Sequence, residues 1–195
     1  MKKISVILLV MLLLLAGCGE KQSISTSTPD ASREIDQSEV DQSKADLSDA
    51  EEETALPGTW TVPDGWVKAE KYSSEDKIFY VEEGHEDDEL PDNISIEVGK
   101  NRYSAEEHEK FREAILRQFA MQLNGVDATL TGDGSFTEQD YILYTFTITE
   151  EDVVTTQFYI VGDQRYCLVH LTSFTSSDGA VEAAKAIVDS FVWSE

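Results

Sequence analysis

The chain has 195 residues, enough for one domain of ordinary size and an appended segment. Its 39 acidic residues against 15 lysines and arginines give a formal charge of -24, and such a surface repels DNA, RNA and anionic headgroups. Nucleic acid is thereby excluded as a partner, while divalent ions, basic proteins or peptides and cell-wall components stay open.

The first element is a leader. Lys2 and Lys3 precede an apolar run from Ile4 to Ala16, which ends in Leu15-Ala16-Gly17-Cys18. This is the tripartite pattern of a signal peptide over residues 1–17, too short for the roughly 20 residues that span a bilayer. An uncleaved anchor, or a secretory signal with an incidental cysteine, would share the pattern. Leu15-Ala16-Gly17-Cys18 resembles, residue by residue, the lipobox of bacterial lipoproteins. The resemblance implies that Cys18 carries a diacylglyceryl group and begins the mature chain. Acyl chains such as palmitate bind membranes at about 0.8 kcal/mol per buried CH₂ and two suffice for stable anchoring. The expected place is the extracytoplasmic face of the cell membrane, or an outer membrane, a sorting that Gly19 permits.

Residues 18–56 then lack any aromatic side chain and are rich in Ser, Thr, Asp, Glu and Gln. Asp36-Gln37-Ser38-Glu39-Val40 is echoed by Asp41-Gln42-Ser43-Lys44-Ala45, a five-residue period that fits neither helix nor heptad. Such a composition buries too little apolar surface to offset chain entropy, so a disordered acidic tether is expected. Its coil dimension is roughly 35 Å.

All three tryptophans, seven tyrosines and eight phenylalanines fall in residues 57–195, one domain with one core. Thr59 to Val62 and Trp66 to Lys68 flank a Pro63-Asp64-Gly65 turn. Lys77 to Val81 and Ile94 to Val98 read as short strands. Ser104-Ala105-Glu106-Glu107 is a capping box, and Phe111, Ile115, Phe119 and Leu123 repeat at helical spacing until Asn124-Gly125. Asp133-Gly134 reads as a turn. Strands follow at Asp140 to Thr149, Val153 to Val161 and Arg165 to Phe174, joined by short polar links that favour antiparallel hairpins. Ser177-Asp178-Gly179 starts a last helix with Val181, Ala184, Val188 and Phe191 on one stripe. The fold class is α+β, an antiparallel sheet with helices packed on it, the terminal helix expected beside the first. Trp60, Trp66 and Trp193 stand at the two ends of the domain. They read as rings sealing the place where the ends meet, in preference to a ligand platform.

The opening Thr61-Val62-Pro63-Asp64-Gly65-Trp66, the capped helix, the aromatic meander and the closing Ile187-Val188-Asp189-Ser190-Phe191 resemble the PsbP-like domain over residues 57–195. That resemblance implies an α-β-α sandwich and a binding or adaptor role more than catalysis. It transfers no functional residue.

The candidate chemistry is sparse. Glu86, Asp87, Asp88 and Glu89, in the acidic run from Glu82 to Asp92, are the candidate metal ligands, because calcium takes six to eight hard oxygens. A solvated loop fits better, since consecutive acids cannot all face one ion. Asp127, Gly132 and Glu138 sit at EF-hand positions one, six and twelve, but Thr129 and Thr131 stand where ligands are needed. His85, His108 and His170 belong to no catalytic motif, and no cofactor motif occurs. With Cys18 committed to lipid, Cys167 has no disulfide partner and reads as a buried, inert thiol in Tyr166-Cys167-Leu168-Val169. The expectation is a lipid-anchored extracytoplasmic binding or adaptor protein, with an envelope or cell-wall partner and no assigned catalytic residue. An envelope hydrolase using paired carboxylates, or a lipoprotein assembly chaperone, are the alternatives.

Overall fold

Side chains alternate along every strand of the main sheet, and this alternation sorts the core into two layers. The computed structural model describes residues 56–175 and 177–194; the leader, Cys18 and the tether up to residue 55 lie outside the described residues. In chain order the elements are β1 (Gly58–Thr59), β2 (Trp66–Lys68), β3 (Lys77–Glu82), β4 (Asn93–Lys100), a 3₁₀ turn (Ala105–Glu107), α1 (His108–Gln122) and β5 (Ala128–Phe136). Then come β6 (Ile142–Glu150), β7 (Val153–Gly162), β8 (Arg165–Ser173), α2 (Asp178–Ser190) and β9 (Val192–Trp193). Seven strands form one antiparallel sheet in the order β2-β3-β4-β8-β7-β6-β5, and β1 pairs with β9 in a separate two-stranded sheet. The protein is therefore α+β, an antiparallel sheet with two helices packed on it.

One face of the sheet presents Tyr80, Ile94, Ile96, Phe158, Ile160, Cys167, Val169 and Leu171 to α2. That helix answers with Ala180, Ala183, Ala184, Ile187 and Val188, all buried, with half-buried Val181 packed against the cluster. Small alanines let the helix approach the strands closely, and the β-branched and aromatic strand residues fill the space. The alternate residues face the other way. Phe111 of α1 packs edge-on to Tyr159 at 5.7 Å and lies 5.5 Å from Tyr166, and Phe119 packs on Phe146 at 5.2 Å. The terminal helix is thus not beside the first, as the run of elements led us to expect. The sheet is apolar on both faces in β7 and β8, where Thr156 through Gly162 and Tyr166 through Val169 are continuously buried. Such strands need a layer on each side.

Two further expectations are corrected. The strand expected over Thr59 to Val62 is shorter and lies one residue earlier, at Gly58–Thr59. The Pro63-Asp64-Gly65 turn forms, with the Trp66 N–H bonded to Pro63 O at 3.2 Å and Gly65 at φ 82, and β1 pairs with the C-terminal β9 and β2 with β3. Asp133-Gly134 is not a turn but the middle of β5, a nine-residue edge strand. Its glycines are there for the rings of β6. Gly132 stands opposite Phe146 and Gly134 opposite Tyr144, and a β-carbon on Gly132 would sit 2.8 Å from the Phe146 ring. Glycine in a strand marks such a close approach.

The capped helix begins as expected. The Ser104 N–H donates to Glu107 Oε2 at 3.4 Å, and α1 ends where Leu123 caps it, with Gly125 at φ 82. The hairpins β6-β7 and β7-β8 close through Glu151-Asp152 and Asp163-Gln164, where Glu151 (φ 51) and Gln164 (φ 53) take left-handed backbone. Among the described residues no helix is long and apolar enough to cross a membrane.

Candidate binding site

The acidic run does not converge on an ion. Glu83, Asp87, Asp88 and Glu89 are exposed and Glu86 is half-buried. Asp88 is engaged by His85, Nδ1 to Oδ2 at 2.7 Å. Among the described residues no three acidic, histidine or cysteine side chains come together as a metal cage. The last acid of the run does something else. Asp92 is buried and accepts from Ser173 Oγ at 2.9 Å, the Phe174 N–H at 2.7 Å, the Thr175 N–H at 3.1 Å and Thr175 Oγ1 at 2.6 Å. Burial by itself would raise its pKa. The four donors, led by the Thr175 hydroxyl, outweigh that and hold it below the usual carboxylate value. This carboxylate fastens the start of β4 to the end of β8.

The histidines and the thiol give no nucleophile and base pair. His108 Nδ1 lies 2.6 Å from the Tyr144 hydroxyl on the α1 face. His170 stands in register between Ser95 and Gln157, with the ion pair of Lys77 and Glu97 at 3.0 Å on the strands beside it. Burial, then the charge of Lys77, lowers its pKa to about 4, so it is neutral at physiological pH. Cys167 points to the opposite face, fully buried, and burial raises its pKa. An inert thiol is the result. The carboxyls of Asp92 and Glu107 are held below their ordinary pKa values by their hydrogen-bond donors.

The ends of the domain meet, as the tryptophans suggested. Gly58 pairs with Trp193 and Thr59 with Val192. Trp60 stacks on Phe191 with ring centroids 6.4 Å apart, Phe191 meets Trp193 edge-on at 4.8 Å, and Trp60 Nε1 donates to the Tyr80 hydroxyl at 3.1 Å. Beside this seal lies a cavity of about 330 Å³ lined by Leu56, Pro57, Glu75, Asp76, Val98, Gly99, Lys100 and Arg165.

Two cations mark it. Lys100 and Arg165 are direct cross-strand partners at the end of β4 and the start of β8. Like charges opposite one another are unfavourable. Among the described residues neither has a carboxylate oxygen within 4.0 Å. Arg165 is held in place by other means. Its guanidinium lies 4.3 Å from the Trp193 ring centroid, and Nη1 donates to Ser194 O at 3.5 Å. Gly162 makes room, since a β-carbon there would sit 2.9 Å from Arg165 Cγ and 3.0 Å from the Trp193 ring. Sequence reasoning did not find this pair. Lys100 and Arg165 are brought together only by the pairing of two strands separated by α1, β5, β6 and β7, and no local pattern announces that register.

No family model and no curated protein matches the chain. Among solved structures it is similar to the solution structure of cyanobacterial PsbP (CyanoP) from Synechocystis sp. PCC 6803. The TM-score is 0.48 and the identity 11%, over 70% of this chain and 86% of that one.

Proposed function

We propose that the protein is a lipid-anchored extracytoplasmic binding or adaptor module, tethered through Cys18 and using the cavity beside the domain ends as its contact site. The observation that carries the binding role is the cross-strand pair Lys100 and Arg165 in the lining of that cavity, neither of them within 4.0 Å of a carboxylate oxygen among the described residues, in a chain with a formal charge of -24. Two neighbouring cations with no carboxylate at ion-pair distance among the described residues form a receptor for an anionic group.

The anchor rests on the sequence of residues 1–18. Feeding cells an alkynyl palmitate analogue and fractionating them tests it. Wild type should carry the label and sediment with membranes, and Cys18→Ala should carry none and leave the membrane fraction. Unlabelled wild type in the cytosol would sink the proposal.

A further inference from the structure

Reading the cavity as the binding site, we infer that its ligand is a small zwitterion, an amino acid or short peptide. Its carboxylate sits between Lys100 and Arg165 and its ammonium on the side of Glu75 and Asp76.

The lining has three kinds of surface. Lys100 and Arg165 form the cationic part, Glu75 and Asp76 an anionic part, and Pro57 and Val98 contribute apolar surface. A bare polyanion meets Glu75 and Asp76 and is repelled. A bare cation meets Lys100 and Arg165 with the same outcome. A molecule with both charges satisfies both groups at once, and the repulsive elements reject its singly charged analogues. The planar fork of Arg165 matches a carboxylate bidentately, and its packing on Trp193 has already fixed the side chain before a ligand arrives. Lys100, exposed at the end of β4, adds a movable point charge. A volume of about 330 Å³ is at the small end of ligand sites and suits one or two residues.

The test uses the full chain in detergent and titration calorimetry with three probes: L-alanyl-L-leucine, N-acetyl-L-leucine, which lacks the ammonium, and L-leucinamide, which lacks the carboxylate. The dipeptide should bind at least tenfold tighter than either analogue. Lys100→Gln should weaken the dipeptide at least tenfold, and Asp76→Asn should narrow its advantage over N-acetyl-L-leucine. Both side chains are exposed, so the variants should melt with the wild type. If N-acetyl-L-leucine binds as well as the dipeptide and Lys100→Gln weakens both, the zwitterion is overturned while the anion-binding cavity stands. If no probe binds, or if Lys100→Gln changes nothing, both are overturned.

Discussion

Thr175 Oγ1 donates to Asp92 Oδ2 at 2.6 Å across 83 residues of sequence, and the same carboxylate takes three more donors from Ser173, Phe174 and Thr175. A single buried anion thereby clamps the entrance of β4 to the exit of β8. Replacing it by asparagine keeps the shape but puts donors where the site needs acceptors. Asp92→Asn should lose about 2–3 kcal/mol in urea unfolding, in line with the worth of hydrogen bonds to a buried charge. The pKa is lowered, so the stabilisation is complete above the ordinary carboxylate value near 3.8 and is lost as pH falls through the folded value.

His170 titrates with a second signature. Its folded pKa is about 4, below the ordinary histidine value of 6.5, so between those values the unfolded chain holds the proton and the native one does not. Stability should therefore fall as pH drops from about 6.5 to 4. His85 acts in the opposite sense, its pKa raised by the hydrogen bond to Asp88 and then by its charge. Comparing melting temperatures of wild type and His170→Gln across that range isolates this ring, and the variant should show a flatter profile.

The glycines beneath aromatic rings give a packing test. A β-carbon on Gly99 would fall 2.3 Å from Tyr166 Cζ, its cross-strand partner. Gly99→Ala should cost about 1–3 kcal/mol, the range for overpacking a core. In a Tyr166→Ala background the same substitution should cost less than half as much, read from a double-mutant cycle in urea.

Gln164 offers a change in the other direction. It holds φ 53 in the β7-β8 turn, while its N–H bonds to Tyr103 O at 3.0 Å and its carbonyl accepts from the Asn101 N–H at 2.9 Å. Glycine keeps both backbone bonds and removes the left-handed penalty. Gln164→Gly should gain about 1 kcal/mol by urea unfolding.

Much of the fold was legible because its signals are local. The short polar links that join β6, β7 and β8, the capping box at Ser104 and the helical stripe of Phe111, Ile115 and Phe119 are each read within a few neighbouring residues, and the elements they mark formed where expected. The edge strand β5 was missed because Gly132, Asp133 and Gly134 carry turn chemistry. Only the rings of Phe146 and Tyr144, on another strand, explain them. The placement of α2 was missed for a related reason. The face a helix covers depends on which strand residues remain apolar on both sides, a property of the assembled sheet. The candidate site was the least legible, since Lys100 and Arg165 meet only through the β4-β8 register.

The central claim is that the domain works by binding at this cavity. A photo-crosslinking residue at Asp76, on the cavity wall, compared with one at Glu113, exposed on α1, tests it most directly in intact cells. The account predicts a discrete adduct from position 76 that Lys100→Gln removes, and none from position 113. Adducts from position 113 with none from position 76 would contradict it.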